Sequence, residues 1–240
     1  MILEERLITA LDVPNLDKAS KLILSLGETV SFYKVGMELF YGAGLDIISY
    51  LKSFDKKIFL DLKLHDIPNT VANSVALLTE LNINMMTVHA IGGREMMKAA
   101  ALSARNTAEA KNKKPPMVVA VTVLTSFDES QFKELNNKLT IKEQVVELAK
   151  LAKDAKLNGV VASPEEAEMI RAVCGKDFLI VTPGIRMQTD EKGDQRRITT
   201  PCQALQNGAS HIVVGRPINK AEDPKEAARA ILQNMREAKS

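Results

Sequence analysis

The 240-residue chain is 45% hydrophobic and 26% charged, a balance that suits a folded globular protein with a sizeable core and argues against disorder. Its 32 basic and 30 acidic residues leave a formal net charge of +2 spread along the chain, with no basic stripe to give nucleic acid an electrostatic footing. No apolar run approaches the roughly 20 residues of a membrane helix, and two cysteines without C-x-x-C spacing, behind an N-terminus charged from the outset, predict a soluble protein of the reducing cytoplasm.

Short β-branched runs alternate with longer amphipathic stretches, the rhythm of repeated βα units around a parallel sheet. In chain order the strand-like runs are "RLITALD" (6–12), "SFYKVGM" (31–37), "KIFLDLK" (57–63), "MMTVHA" (85–90), "MVVAVTVL" (117–124), "NGVVAS" (158–163), "FLIVTPG" (178–184) and "HIVVGRP" (211–217). Between them, segments such as "LDKASKLILSLG", "NTVANSVALLTELN" and "KEQVVELAKLAKDAKLN" carry apolar residues at helical spacing. Eight such units without a Gly/Ser linker predict one domain over residues 1–240, a single (β/α)8 TIM barrel. A doubly wound sheet is the alternative, but the turn after the first strand, "LDVPNLDKAS", has no glycine to cradle a dinucleotide.

The third strand breaks its own apolar pattern. Residues two apart share a face of a strand, so Ile58, Leu60, Leu62 and Leu64 suit packing against helices, whereas Phe59, Asp61, Lys63 and His65 face the other way. Asp61 and Lys63 are then neighbours about 6.6 Å apart along the strand. The faces Ile8, Ala10, Asp12 and Ile212, Val214, Arg216 also turn charged at their C-terminal ends, and strand two carries Lys34. In a (β/α)8 barrel that rim is the catalytic face, so Asp12, Lys34, Asp61, Lys63 and Asp66 are expected to ring one pocket. Structural ion pairs closing the barrel end are the bland alternative, weakened by the cost of desolvating several charges.

Gly215 and Arg216 in "VVGRPI" offer close backbone approach and a planar multi-donor cation, at a loop where this fold usually binds phosphate. After strand seven, "GIRMQTDEKGDQRRITTP" reads as a polar lid carrying Arg186 and Gln195, or else as a solvated surface loop. His65, His89 and His211 lie in different elements without an i, i+4 pair, so no metal site is expected from them. The ten methionines read as core filling.

At "DLKLHDIPNTV" the pattern becomes specific. It resembles the D-x-K-x-x-D signature of the orotidine 5'-monophosphate decarboxylase family, and the likeness continues, in order, through "ALDVP", "YKVGMELFYGAG", "AVTVLTS", "TPGIR" and "VVGRPI". The resemblance implies a short bacterial form that converts orotidine 5'-monophosphate to UMP and CO2, the last step of UMP synthesis. Asp12 and Lys34 would hold the ribose hydroxyls, while Lys34 and Asp61 would belong to a charged network beside the reacting carbon and Lys63 would donate the proton. Asp66 and Thr70 would reach across a twofold interface into the neighbouring subunit's site, which implies a homodimer. Thr125 and Ser126 would contact the pyrimidine, Pro183 of "TPGIR" would be a further substrate contact, and Arg186, Gln195, Gly215 and Arg216 would bind the phosphate. No metal or organic cofactor is needed to account for these residues.

Rival readings stay in view. A Mg2+-dependent sugar-phosphate decarboxylase of the same superfamily also carries D-x-K-x-x-D, but bears Glu where this chain has Lys34. A Schiff-base aldolase would want its lysine in an apolar pocket rather than between aspartates. A catalytically inert nucleotide-binding module would have little reason to keep Asp61, Lys63 and Asp66 together.

Overall fold

In a computed structural model that describes residues 2–187 and 199–238, the alternating runs fold as a closed parallel barrel. Its strands are β1 (Leu7–Ala10), β2 (Phe32–Gly36), β3 (Lys57–Leu64), β4 (Met85–His89), β5 (Met117–Val121), β6 (Gly159–Val161), β7 (Leu179–Thr182) and β8 (His211–Val214). They pair in chain order, and β8 returns to β1 through Leu7↔Ile212 and Ile8↔Val213.

The helices between them are α1 (Leu16–Leu26), α2 (Met37–Ala43), α3 (Asp46–Ser53), α4 (Pro68–Glu80), α5 (Gly93–Ala110), α6 (Glu129–Glu134), α7 (Ile141–Asp154), α8 (Ala167–Cys174), α9 (Pro201–Gln206), α10 (Arg216–Asn219) and α11 (Pro224–Glu237). Their starts have local causes. The Asn15 side chain accepts the Lys18 N–H at 3.0 Å ahead of α1, and Thr140 and Glu143 form a reciprocal capping box at α7. Pro68 opens α4, so the charged third strand passes into a helix within a few residues.

Two apolar clusters make the core. Ile8, Ala10, Phe32, Phe59, Met85, Val119, Val181 and Val213 fill the barrel interior. A larger outer cluster, to which Ile58, Leu60, Met86 and Val88 belong, seals the strands against the helices. Inward and outward residues alternate as expected along β1 and, up to Leu60, along β3, but in β8 it is Val213 that fills the interior while Ile212 and Val214 pack outward against the helices, so Arg216 does not continue an inward strand face as the sequence pattern suggests. The packed interior leaves the C-terminal rim as the place for polar chemistry.

The observed strands end earlier than the sequence runs: β5 stops at Val121, β7 at Thr182 and β8 at Val214. The residues beyond those ends include Thr125, Pro183, Gly215 and Arg216. They leave the ladder to build the rim, and Pro183 has no N–H with which to continue it.

Candidate active site

The rim gathers four of the expected charges in one row. Lys34 Nζ lies 3.2 Å from Asp12 Oδ1 and 3.7 Å from Asp61 Oδ2, while Lys63 Nζ lies 2.9 Å from the same Asp61 oxygen. Carboxylate and ammonium groups alternate, with Asp61 at the centre. Side-chain exposure is lowest in the middle of the row, 11% at Asp61 and 13% at Lys34, and rises toward both ends, to 27% at Lys63 and 53% at Asp12. The 3.7 Å separation is an ion pair but too long for a hydrogen bond, so of the two lysines it is Lys63 that hydrogen-bonds Asp61.

Two glycines make room for this row. A Cβ on Gly36 would stand 3.0 Å from Lys34 Nζ, and one on Gly215 would stand 3.0 Å from Asp12 Oδ2. The space beside Gly215, which the sequence reading gives to an approaching anion, borders the Asp12 carboxylate in the folded chain.

The third strand reaches this arrangement by a route that simple alternation does not anticipate. Between β3 and β4 the register moves from Leu60↔Met86 to Leu64↔Val88, so β3 carries two more residues than its partner across this span. Lys63 sits in that bulge with φ of 53°, the left-handed region. Its N–H donates to Thr87 Oγ1 at 2.8 Å, and the Thr87 hydroxyl donates to Asp61 Oδ1 at 3.0 Å. Asp61 and Lys63 do meet, but through a bulge pinned by Thr87 rather than along a regular pleat. Sequence reasoning missed Thr87; a threonine at an inward position of the apolar run "MMTVHA" is the signal that could have found it.

Lys34, Asp61 and Lys63 line a cavity of about 240 Å³, walled by Phe59, Val121 and Val213 below and by Leu124, Thr125 and Pro183 at the mouth. Ser126 lies beside Thr125 in the exposed turn after β5. Arg216 is partly buried where α10 begins, and Asn219 of that helix donates to the Ala10 carbonyl at 2.8 Å, fastening the β8 loop to β1. Arg186 is buried after β7; its Nη1 donates to the Ile185 carbonyl at 2.8 Å and its N–H to that of Thr199 at 3.2 Å. Gln195, with the rest of segment 188–198 read as a lid, lies outside the described residues.

Asp66 corrects the five-member ring expected from the charges. It stands on the exposed stretch leading into α4, where its Oδ1 accepts the Ile67 N–H at 2.7 Å. Among the described residues of this chain it has no ion-pair partner, because the turn at residues 65–67 carries it away from the inward face. Thr70 is exposed on the same stretch.

His65 and His89 stack at the rim with ring centroids 5.5 Å apart, whereas His211 lies at the barrel base against Phe32. Burial, reinforced by His65 and Lys63, holds the His89 imidazole below its ordinary range. No three His, Cys, Asp or Glu side chains among the described residues come together as a metal-holding group.

A family model, "Orotidine 5'-phosphate decarboxylase / HUMPS family", matches the chain over residues 5–231, a span that includes the bulged D-x-K-x-x-D strand. The chain belongs to that family. An orotidine 5'-phosphate decarboxylase of Moorella thermoacetica is 47% identical over 229 residues, 95% of this chain and 91% of the relative. One from Carboxydothermus hydrogenoformans is 46% identical over 233 residues, 97% of each. The crystal structure of orotidine 5'-phosphate decarboxylase from Lactobacillus acidophilus superposes with a TM-score of 0.86 at 44% identity, covering 96% of this chain and 99% of the other. With relatives this similar over nearly full length, this member of the orotidine 5'-phosphate decarboxylase / HUMPS family is a decarboxylase, hence a carboxy-lyase.

Proposed function

We propose that the protein converts orotidine 5'-monophosphate to UMP and CO2 in pyrimidine biosynthesis, with Lys63 as proton donor. The observation that carries this reading is the row Asp12–Lys34–Asp61–Lys63, of which Lys34, Asp61 and Lys63 line a cavity with an apolar floor.

Breaking the bond between the ring carbon C6 and its carboxylate releases CO2 and leaves an electron pair in the plane of the ring, where the ring cannot spread it. A cation held at that carbon beforehand stabilises the pair without reorganisation, which is worth most in a site shielded from water. Lys63 supplies that cation and then passes an Nζ proton to C6, completing UMP; the amine recovers its proton from solvent. Asp61, 2.9 Å from Nζ, aims the ammonium, while Lys34 and Asp12 meet the ribose hydroxyls further out. Thr125 and Ser126 contact the pyrimidine and Pro183 covers it. Arg216, with Gly215, Arg186 and Gln195, takes the phosphate, whose binding energy serves to organise the charged row rather than to break bonds.

The reaction so drawn needs no metal or organic cofactor, since the stabilising cation is a side chain. Lys34 favours this reading over a Mg2+-dependent sugar-phosphate decarboxylase, because its ammonium, 3.7 Å from Asp61, opposes a divalent ion at that carboxylate. We further propose a cytoplasmic homodimer in which Asp66 and Thr70 complete the partner's site. Supporting the dimer is the exposure of the whole stretch 65–70, including Ile67 at 66%. Supporting the compartment are two cysteines, Cys174 and Cys202, that form no disulfide.

Lys63→Ala tests the assignment. Turnover of orotidine 5'-monophosphate should fall by at least about 1,000-fold, the scale expected when a preorganised charge and an acid are lost together, while UMP still binds. Near-normal turnover would remove Lys63 from its role.

A further inference from the structure

Thr87 is the inward residue of β4 at the level of the charged row, and it is 1% exposed. Its hydroxyl makes two bonds whose directions follow from chemistry: the Lys63 N–H can only donate to it, at 2.8 Å, and the ionised Asp61 carboxylate can only accept from it, at 3.0 Å. Because β3 carries two extra residues opposite Thr87, the regular ladder is interrupted there, and the hydroxyl gives the Lys63 N–H the acceptor that the bulge removes. One side chain thus grips the backbone of Lys63 and the carboxylate of Asp61 together.

We propose that Thr87 is a positioning residue for the decarboxylation, holding Asp61 and Lys63 in one relation so that the ammonium is aimed before substrate arrives. With Asp61 Oδ1 engaged by Thr87, Oδ2 is left to face both lysines. The left-handed backbone of Lys63, unfavourable for a residue with a Cβ, is held by the same hydroxyl. This role rests on the reading of Lys63 as proton donor and deepens it.

The test compares three variants by steady-state turnover of orotidine 5'-monophosphate, with Lys63→Ala as reference and unfolding curves to confirm the fold. Thr87→Val keeps the shape and strand preference but loses both bonds; Thr87→Ala replaces it should the valine form not fold; Thr87→Ser keeps the hydroxyl. The variant without a hydroxyl should lose about 10- to 100-fold in kcat, as expected for removing a hydrogen bond to a charged group and orphaning a buried N–H. Its KM should stay within about threefold, because only the aim of the lysine has changed. Thr87→Ser should stay within about threefold of the parent in both constants. A folded variant without a hydroxyl that keeps its kcat, or a serine variant that falls as far as the valine one, overturns the proposal. If Lys63→Ala itself turns over normally, the underlying reading fails instead.

Discussion

Lys63 shows what the site costs at the scale of one residue. Six non-glycine residues among those described have positive φ: Asp55, Asn82, Asn112, Asn136 and Lys156 each lie just past the end of a helix, where the left-handed conformation terminates the turn. Lys63 alone is in a strand. A lysine held in that region carries strain on the order of 1–3 kcal/mol, which the bond to Thr87 and the ion pair to Asp61 hold in place. His211 carries a cost of another kind. Burial, aided by Arg6 and Lys57, pushes its imidazole down to about 4 from the ordinary 6.5. The folded state therefore holds the ring neutral while the unfolded chain protonates it first, so its stability contribution is complete above pH of about 6.5 and is lost as the pH falls toward about 4. Unfolding measured across that window should show about 2 kcal/mol lost from this group by pH of about 5. His211→Asn should be correspondingly less pH-sensitive; parallel curves for the two proteins would contradict the assignment.

At the scale of elements, the strands were legible because their periodicity comes from burial on two sides. Phe59 and Ile58 face different apolar clusters, and the alternating pattern records it. Helices α1 and α7 were legible from the helical spacing of their apolar residues, and their starts are fixed in the structure by the side-chain caps Asn15 and Thr140. The row Asp12, Lys34, Asp61, Lys63 could be read because charges on inward strand positions have no packing explanation. The bulge in β3 was not legible: nothing local in "DLKL" calls for an insertion, and it exists only relative to β4, where Thr87 supplies the tertiary bond that holds it. The roles of Gly36 and Gly215 were hidden for the same reason, since the side chains that need their space come from Lys34 on the same strand and from Asp12 beyond β1. Asp66 stands outside the row because β3 ends at Leu64 and the chain turns outward toward Pro68, a change of direction that the spacing of the charges does not reveal.

At the scale of the molecule, a closed barrel with a filled interior leaves one end for chemistry, and the charged row occupies it. The same geometry turns the stretch 65–70 outward beside the cavity mouth, which gives the proposed shared-site dimer a direct test. Lys63→Ala and Asp66→Asn should each be nearly inactive alone. In a dimer whose sites draw on both chains, random mixing puts one intact site in each hybrid, and half the dimers are hybrids. The mixture should then recover about a quarter of the parent activity per site. A mixture no more active than its components after subunit exchange would place Asp66 outside the partner's site.

The measurement that reaches the central claim most directly is the ultraviolet absorbance change of orotidine 5'-monophosphate with the purified protein, run with and without EDTA. The account predicts rapid conversion to UMP at a rate the chelator does not change, because the cation at the reacting carbon is Lys63. A folded protein that leaves the absorbance unchanged, or one whose turnover stops when EDTA is added, would contradict it.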